Sequence, residues 1–297
     1  MTSPRLAVPV ATALLLFLFL PVPPTAGGEL ALDHELPVCP AGAAPSAGAA
    51  DPASPPPSLP SLDHPAACRA EPTRVEPVTG TGLPVPRPGS GYHHLGATTV
   101  GEWAGVLGRL AVVDPAIRPD SYDFVATRFM AKRGTEHGKV VWLEVGWAET
   151  GWSGAGRQRI YTFDSTAMSW RFFDDYRIGD RDQVWVYLHG GPADWRAWLW
   201  WDGRWRLLAA PDLPLAGPAR VEQYVEVHQD RPGRRISVPP IQVDEVRVQT
   251  SPDGELARWR AEWVPTVAQA AGGGYCLAWQ TRYDTWSAGD CDATVQE

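Results

Sequence analysis

An apolar period of two, broken by turn residues at intervals of about 8–12, governs this chain from Tyr92 almost to its end. Side chains of an extended strand alternate between two faces, so this period builds sheets and cannot build an amphipathic helix. The run Val140-Val141-Trp142-Leu143-Glu144-Val145-Gly146-Trp147 is mostly β-branched and aromatic, as are segments 159–163 and 183–188. Segment 198–207 reads as a hairpin whose two-residue turn is Asp202-Gly203. Further strands are expected at 105–113, 122–132, 221–229, 242–249, 256–263 and 275–281, with turns such as Asp114-Pro115, Gly151-Trp152-Ser153-Gly154 and Pro252-Asp253-Gly254 between them. About ten short strands and no helix beyond two turns imply an all-β fold. The expected architecture is an antiparallel β-sandwich of jelly-roll, concanavalin-like type over residues 92–297.

The N-terminal third obeys different rules. Arg5 precedes an apolar run over 6–20, followed by Pro21, Pro23, Pro24 and the small pair Ala26-Gly27. The run is shorter than the ~20 residues a membrane helix needs, so residues 1–26 read as a signal peptide, and the protein is expected to be secreted with no membrane span afterwards. Residues 27–91 are rich in Ala, Pro, Ser and Gly, including Pro55-Pro56-Pro57. Such a segment buries too little apolar surface to offset its backbone entropy and reads as a linker or pro-segment.

Export makes the four cysteines legible as disulfides. None lies at CxxC spacing, and the most economical of three pairings joins Cys39 to Cys68 and Cys276 to Cys291. A clip around a loop of about 15 residues contributes on the order of 3 kcal/mol. With 26 basic against 34 acidic side chains, a net charge of −8 and no basic run, the chain lacks the clustered cations that nucleic acid requires. Nothing calls for a cofactor or a metal. His93, His94 and His137 flank no acidic pair at ligand spacing, and Asp180-Arg181-Asp182 reads as an ordinary turn. Gly151-Trp152-Ser153-Gly154-Ala155 departs from a nucleophile elbow, with Ala155 where the closing glycine belongs. A monomer is expected.

Strand parity picks out carboxylates. Glu144 shares a face with Val140, Trp142 and Gly146, opposite Val141, Leu143, Val145 and Trp147. In segment 221–229, Glu222, Tyr224, Glu226 and His228 share one face, opposite Val221, Val225 and Val227. Two carboxylates in a partly desolvated groove push their pKa values apart, leaving one charged and one neutral. The same pattern also suits solvated strand positions beside exposed aromatics.

The segment Trp142 to Trp147, a polar turn, and then Arg159-Ile160-Tyr161-Thr162-Phe163-Asp164 resembles the neprosin-type glutamic peptidases, which carry an E-x-G-W strand followed by an R-x-F-x-Y-W-x-x-D strand. The related eqolisins have Gln at the first position and a later A-E-W-I-V-E strand, which Val221-Glu222-Gln223-Tyr224-Val225-Glu226 resembles. The tryptophan and paired glycines that precede neprosin's second Glu are replaced here by Tyr224 and Val225. The resemblance implies a peptidase acting at acidic pH on an extended peptide. Glu144 would be the general base, and the second carboxyl, Glu226 or alternatively Glu222, would begin protonated and serve as acid. Trp142, Trp147 and Tyr224 would bind substrate.

Two other readings stand beside it. A secreted carbohydrate-binding, lectin-like module would use Trp195, Trp198, Trp200, Trp201 and Trp205 as a stacking platform for a glycan. Strand alternation places Trp198 and Trp200 on one face and Trp201 and Trp205 on the other. A glycosidase would instead need Glu144 and Glu226 about 5.5 or 6.5–9.5 Å apart.

Overall fold

The computed structural model describes residues 36–39, 59, 67–78, 91–134, 138–191, 194–231, 234–269 and 272–294. The signal segment 1–26, most of 27–91, and His137 lie outside the described residues.

The N-terminal half runs through β1 (Cys68–Arg69), β2 (Arg74–Pro77), β3 (Tyr92–Thr99), β4 (Gly105–Ala111), β5 (Phe124–Gly134), β6 (Val140–Thr150), β7 (Arg159–Asp164) and β8 (Ser169–Arg177). Then follow β9 (Gln183–Gly190), β10 (Trp195–Trp201), β11 (Arg204–Ala209), β12 (Arg220–His228) and β13 (Ile241–Gln249). The chain finishes with β14 (Leu256–Arg258), β15 (Thr266–Gln269), β16 (Tyr275–Thr281), β17 (Thr285–Asp290) and the short helix α1 (Cys291–Thr294). These strands form a nine-stranded sheet in the order β1-β11-β10-β9-β4-β13-β17-β16, with β14 on β13, and an eight-stranded sheet in the order β15-β3-β12-β5-β6-β7-β8-β2. Neighbours are antiparallel except for β1 on β11. The chain is therefore an antiparallel β-sandwich.

Alternation explains where each side chain goes. Val125, Phe129, Val141, Leu143, Val145, Trp147, Val221 and Val225 of the eight-stranded sheet pack against Val106, Leu110, Val184, Val186, Trp195, Leu199 and Trp201 of the other. The outer face of the nine-stranded sheet carries Leu107, Trp185, Tyr187, Trp198, Trp205 and Leu207, covered by Leu36 and Ala67. The outer face of the eight-stranded sheet carries Phe124, Ala126, Ala148, Tyr161, Phe163, Trp170 and Phe172.

Both cysteine pairs form as expected, Cys39–Cys68 and Cys276–Cys291. Asp202 and Gly203 both have positive φ, 50° and 70°, which a tight hairpin turn requires. Several expectations shift. Strands β3, β8, β15 and β17 were not legible, because polar, charged or small residues interrupt their apolar period. Only 256–258 of the expected strand 256–263 is extended, since Arg260 accepts turn bonds from the amides of Trp263 and Val264. The boundary at residue 92 also moves, because β1 and β2 come from the segment read as linker. Arg74–Pro77 pairs with β8, and Ala70 donates its amide to Leu207. A ready-made strand edge supplies what that segment lacks in apolar surface of its own.

Candidate active site

The eight-stranded sheet positions the site through its register. Across β3, β12, β5, β6 and β7, the residues Gly96, Tyr224, Arg128, Gly146 and Tyr161 lie directly opposite one another in one row. In the adjacent rows, Glu226 pairs with Ala126, while Glu222 and Glu144 both flank Met130. Arg128 is thus the diagonal neighbour of three glutamates, a separation that long side chains bridge. Gly146 is dictated by this crowding. A Cβ there would lie 1.9 Å from the Thr127 carbonyl oxygen and 2.8 Å from the Cα of Arg128. Gly96, at φ +151°, plays the same part beneath Tyr224, whose ring lies 2.9 Å from where its Cβ would be.

The Arg128 side chain is only 4% exposed and divides its contacts unequally. Its Nε and NH2 groups reach Glu226 Oε2 at 3.0 and 2.9 Å, its Nε lies 3.6 Å from Glu144 Oε2, and an NH1 nitrogen lies 3.9 Å from Glu222 Oε2. The guanidinium also sits over the Tyr224 ring, 5.6 Å from its centroid. Glu226 and Glu144 approach the same Nε, so their facing oxygens are no further apart than those two distances together. Each has further partners. His94 Nε2 lies 3.3 Å from Glu226 Oε1, while Trp142 Nε1 and the Tyr161 hydroxyl donate to the two oxygens of Glu144 at 2.8 and 3.1 Å. Glu222 is held apart from them by an ion pair to Lys132 and a bond from the Thr98 hydroxyl.

Glu144 and Glu226 face one cavity of about 190 Å³, walled by Tyr92, Tyr122, Phe124, Trp142, Phe163, Met168, Trp170 and Val78. The rings pack on one another: Trp142 stacks on Phe163 with centroids 6.0 Å apart, and Phe124 meets Trp170 edge-on at 5.5 Å. The apolar wall acts on the two acids in opposite senses. Burial raises the Glu144 carboxyl to about 7, with the neighbouring Glu226 charge adding to the rise and Arg128 opposing it. Burial also works against the Glu226 charge, but the Arg128 and His94 contacts outweigh it and bring that carboxyl down to about 2. At mildly acidic pH one acid is therefore neutral and the other ionised, in a shared, partly desolvated space.

Sequence parity places Glu144, Trp142 and Glu226 at this cavity, and Glu222 and Tyr224 on the same sheet face but not in its lining. Tyr224 is buried, its hydroxyl against Thr98 at 2.6 Å, and it supports Arg128 from beneath. Trp147 does not belong here. It lies on the opposite face, fully buried in the inter-sheet core, donating to the Ala111 carbonyl at 2.9 Å. The two acids sit in unlike surroundings: the Glu226 carboxyl is brought down and the Glu144 carboxyl pushed up. Arg128, Tyr161 and His94 were missed. His94, set aside for want of metal-ligand spacing, lies in β3 opposite Glu226. The available signal for Arg128 was a cation alternating with Phe124, Ala126 and Met130, with Lys132 next on the same strand face.

The tryptophan platform is not there. Trp195, Trp198, Trp201 and Trp205 are buried, and Trp200 is half-buried. Trp205 lies with Trp198 and Trp200, not with Trp201, because pairing across the two-residue turn sets Trp200 opposite Trp205 and directly paired residues share a face. Ser153 of the rejected elbow lies in the β6–β7 turn, bonded to Glu76 and to Arg159.

No protein-family model matches the chain, and no curated protein matches it either. Among solved structures, the chain is similar to scytalido-glutamic peptidase bound to a peptide-based transition-state analogue, at 13% identity over 67% of this chain and 98% of that one, with a TM-score of 0.47. It is also similar to SCP-B, a member of the eqolisin family of peptidases, in complex with the tripeptide Ala-Ile-His, at 11% identity over 67% and 98%, with a TM-score of 0.45. A Bacillus licheniformis β-glucanase is similar over 44% of this chain and 57% of its own, at 11% identity and a TM-score of 0.27. These likenesses are remote, and the roles of the glutamates rest on their own surroundings.

Proposed function

We propose that this domain is an exported acid peptidase of glutamic type, with Glu226 as general base and Glu144 as the neutral hydrogen-bond donor. The observation that carries the reading is the pair itself: two carboxyls at one aromatic cavity, Glu226 close to the Arg128 guanidinium and Glu144 between the neutral donors of Trp142 and Tyr161, surroundings that push the first down and the second up. Glu226 takes a proton from water as the water oxygen attacks the scissile carbonyl carbon, and Glu144 donates a hydrogen bond to the carbonyl oxygen as it gains negative charge. The tetrahedral intermediate then collapses, the C–N bond breaks, and Glu226 returns its proton to the departing amine nitrogen. A protonated Glu144 offers the donor that a glutamine supplies at this position in the eqolisins that the sequence resembles. Trp142, Phe163 and Trp170 would hold the apolar side chain of an extended peptide.

Activity requires Glu226 ionised and Glu144 neutral, so the rate should be bell-shaped and fall away below about pH 2 and above about pH 7. The test is hydrolysis of a denatured protein by the full secreted chain across that range, beside Glu226→Gln, Glu222→Gln and Glu144→Gln. Activity lost in Glu226→Gln and kept in Glu222→Gln is expected. The reverse pattern would move the base to Glu222, and a folded protein with no proteolysis at any pH would sink the reading.

A further inference from the structure

Arg128 is the one cation buried among all three glutamates of this face, and no motif in the sequence singles it out. We propose that Arg128 is a positioning residue that decides which glutamate acts as base: its two-nitrogen grip fixes the charge on Glu226 and leaves the proton on Glu144. This rests on the peptidase reading for its purpose but not for its physics.

The argument is geometric. An arginine fork delivers its full strength to a carboxylate only when two N–H groups point at it. Arg128 brings two nitrogens to Glu226 alone, both to its Oε2 at 2.9 and 3.0 Å with the Nε–H donating the hydrogen bond, and meets Glu144 through a single nitrogen at 3.6 Å. The neighbours reinforce the difference from every strand packed against it. From β3, His94 approaches Glu226. From β5, Lys132 neutralises Glu222, so that this third carboxylate does not draw the fork away. From β6 and β7, Trp142 and Tyr161 satisfy Glu144 with neutral donors, which hold the carboxyl in place without supplying a charge. From β12, the Tyr224 ring supports the guanidinium, and its hydroxyl is turned away to Thr98. Tyr92 borders Glu226 as a neutral phenol, its own ionisation pushed up to about 12 by burial and by the Glu226 charge. One NH1 nitrogen of Arg128 is buried without a hydrogen-bond partner, so the side chain is held for its grip on Glu226 at the expense of a fully satisfied guanidinium.

The consequence is that Arg128 can be tested without any substrate. In the full chain carrying 13C-labelled glutamate carboxyls, assigned through Glu144→Gln and Glu226→Gln, the two groups are expected to titrate far apart. In Arg128→Met the first ionisation should rise by about 1–3 pH units, the loss expected when a close opposite charge is removed. The two titrations should then converge. Arg128→Lys keeps the charge but not the fork, and should give a smaller movement in the same direction. Lys132→Met, which removes the ion pair to Glu222, should leave the Glu144–Glu226 separation as it was. If Arg128→Met does not fold by near-UV circular dichroism, Arg128→Lys carries the test. A separation unchanged in a folded Arg128 variant overturns the proposal. Titrations that converge in a protein with no proteolysis would uphold Arg128 and sink the peptidase reading; proteolysis with unmoved titrations would do the opposite.

Discussion

The two outer faces of the sandwich are built from the same materials and do different things. Each is an aromatic surface over a sheet, and each contains buried charge. On the nine-stranded sheet, Arg109 meets Asp244 in a two-nitrogen pair at 2.7 and 2.9 Å, with its guanidinium over Trp185. Cation and carboxylate there meet directly, and Leu36 and Ala67 lie over the neighbouring aromatics. On the eight-stranded sheet, Glu144, Glu222 and Glu226 share Arg128 and Lys132, with His94 at the rim. Polarity is common to both faces; the crowding of carboxylates separates them. A buried ion pair is a structural element, whereas a carboxyl buried beside another and met by its cation at longer range is pushed towards its neutral form, and a proton held there is available for chemistry.

The largest way to sharpen this contrast is to remove one acid from each face. Glu226→Gln should lower kcat/KM by about 10²–10⁴-fold, since general catalysis is what it removes, and should also cost stability by leaving buried Arg128 without its closest carboxylate. Asp244→Asn should destabilise by about 3–5 kcal/mol in urea, by stranding Arg109, yet leave the pH–rate profile where it was. If Asp244→Asn moved that profile, the division between the faces would fail. Next in size, Trp198→Ala should cost about 3–5 kcal/mol of stability by opening a cavity under the covered face.

Smaller is the loss of a disulfide. Replacing Cys39 and Cys68 by alanine should cost about 2–5 kcal/mol, read from the urea midpoint under non-reducing conditions.

Glu144 should also leave a mark on stability. Its carboxyl titrates higher in the folded chain than in the unfolded one, so the native state binds the extra proton between about pH 4.5 and 7. Its contribution to stability must therefore decline as pH rises through that window, by on the order of a few kcal/mol. Glu226 has the opposite sign, adding stability above about pH 4.5 that is lost as pH falls towards about 2. Glu144→Gln should flatten the decline in the upper window and extend proteolysis above pH 7, because the amide donor does not ionise; a decline that persists would place the proton elsewhere. Trp200→Ala should cost less than Trp198→Ala, because that ring is only partly buried against the same cluster.

Much of this was legible in the residues. Period two and turn chemistry specify the sandwich, and parity brings Glu144 and Glu226 to one face, because alternation is a property of the strand alone. Which strands are neighbours is not. Arg128 became central only once β5 was seen to lie between β6 and β12, a consequence of non-local pairing that no local pattern encodes. The unlike surroundings of Glu144 and Glu226 have the same origin, since a motif names a glutamate but not the cation beside it. Trp147 was misplaced for a simpler reason: motif proximity was allowed to outrank a parity that already set it in the core.

The short stretch from Cys68 to Pro77 gives one strand to each sheet, β1 to the edge at β11 and β2 to the edge at β8. Its partners come late: Arg206 follows Cys68 by 138 residues and Phe172 follows Thr73 by 99. In a chain made N-terminus first, β2 has no partner until β8 exists and β1 none until β11 exists. Val78, just past this stretch, bonds through its amide to Met168 and closes one wall of the cavity holding Glu144 and Glu226. That wall is thereby built from a non-local pairing, so the cavity is complete only where a segment from ahead of β3 has found an edge far downstream of it.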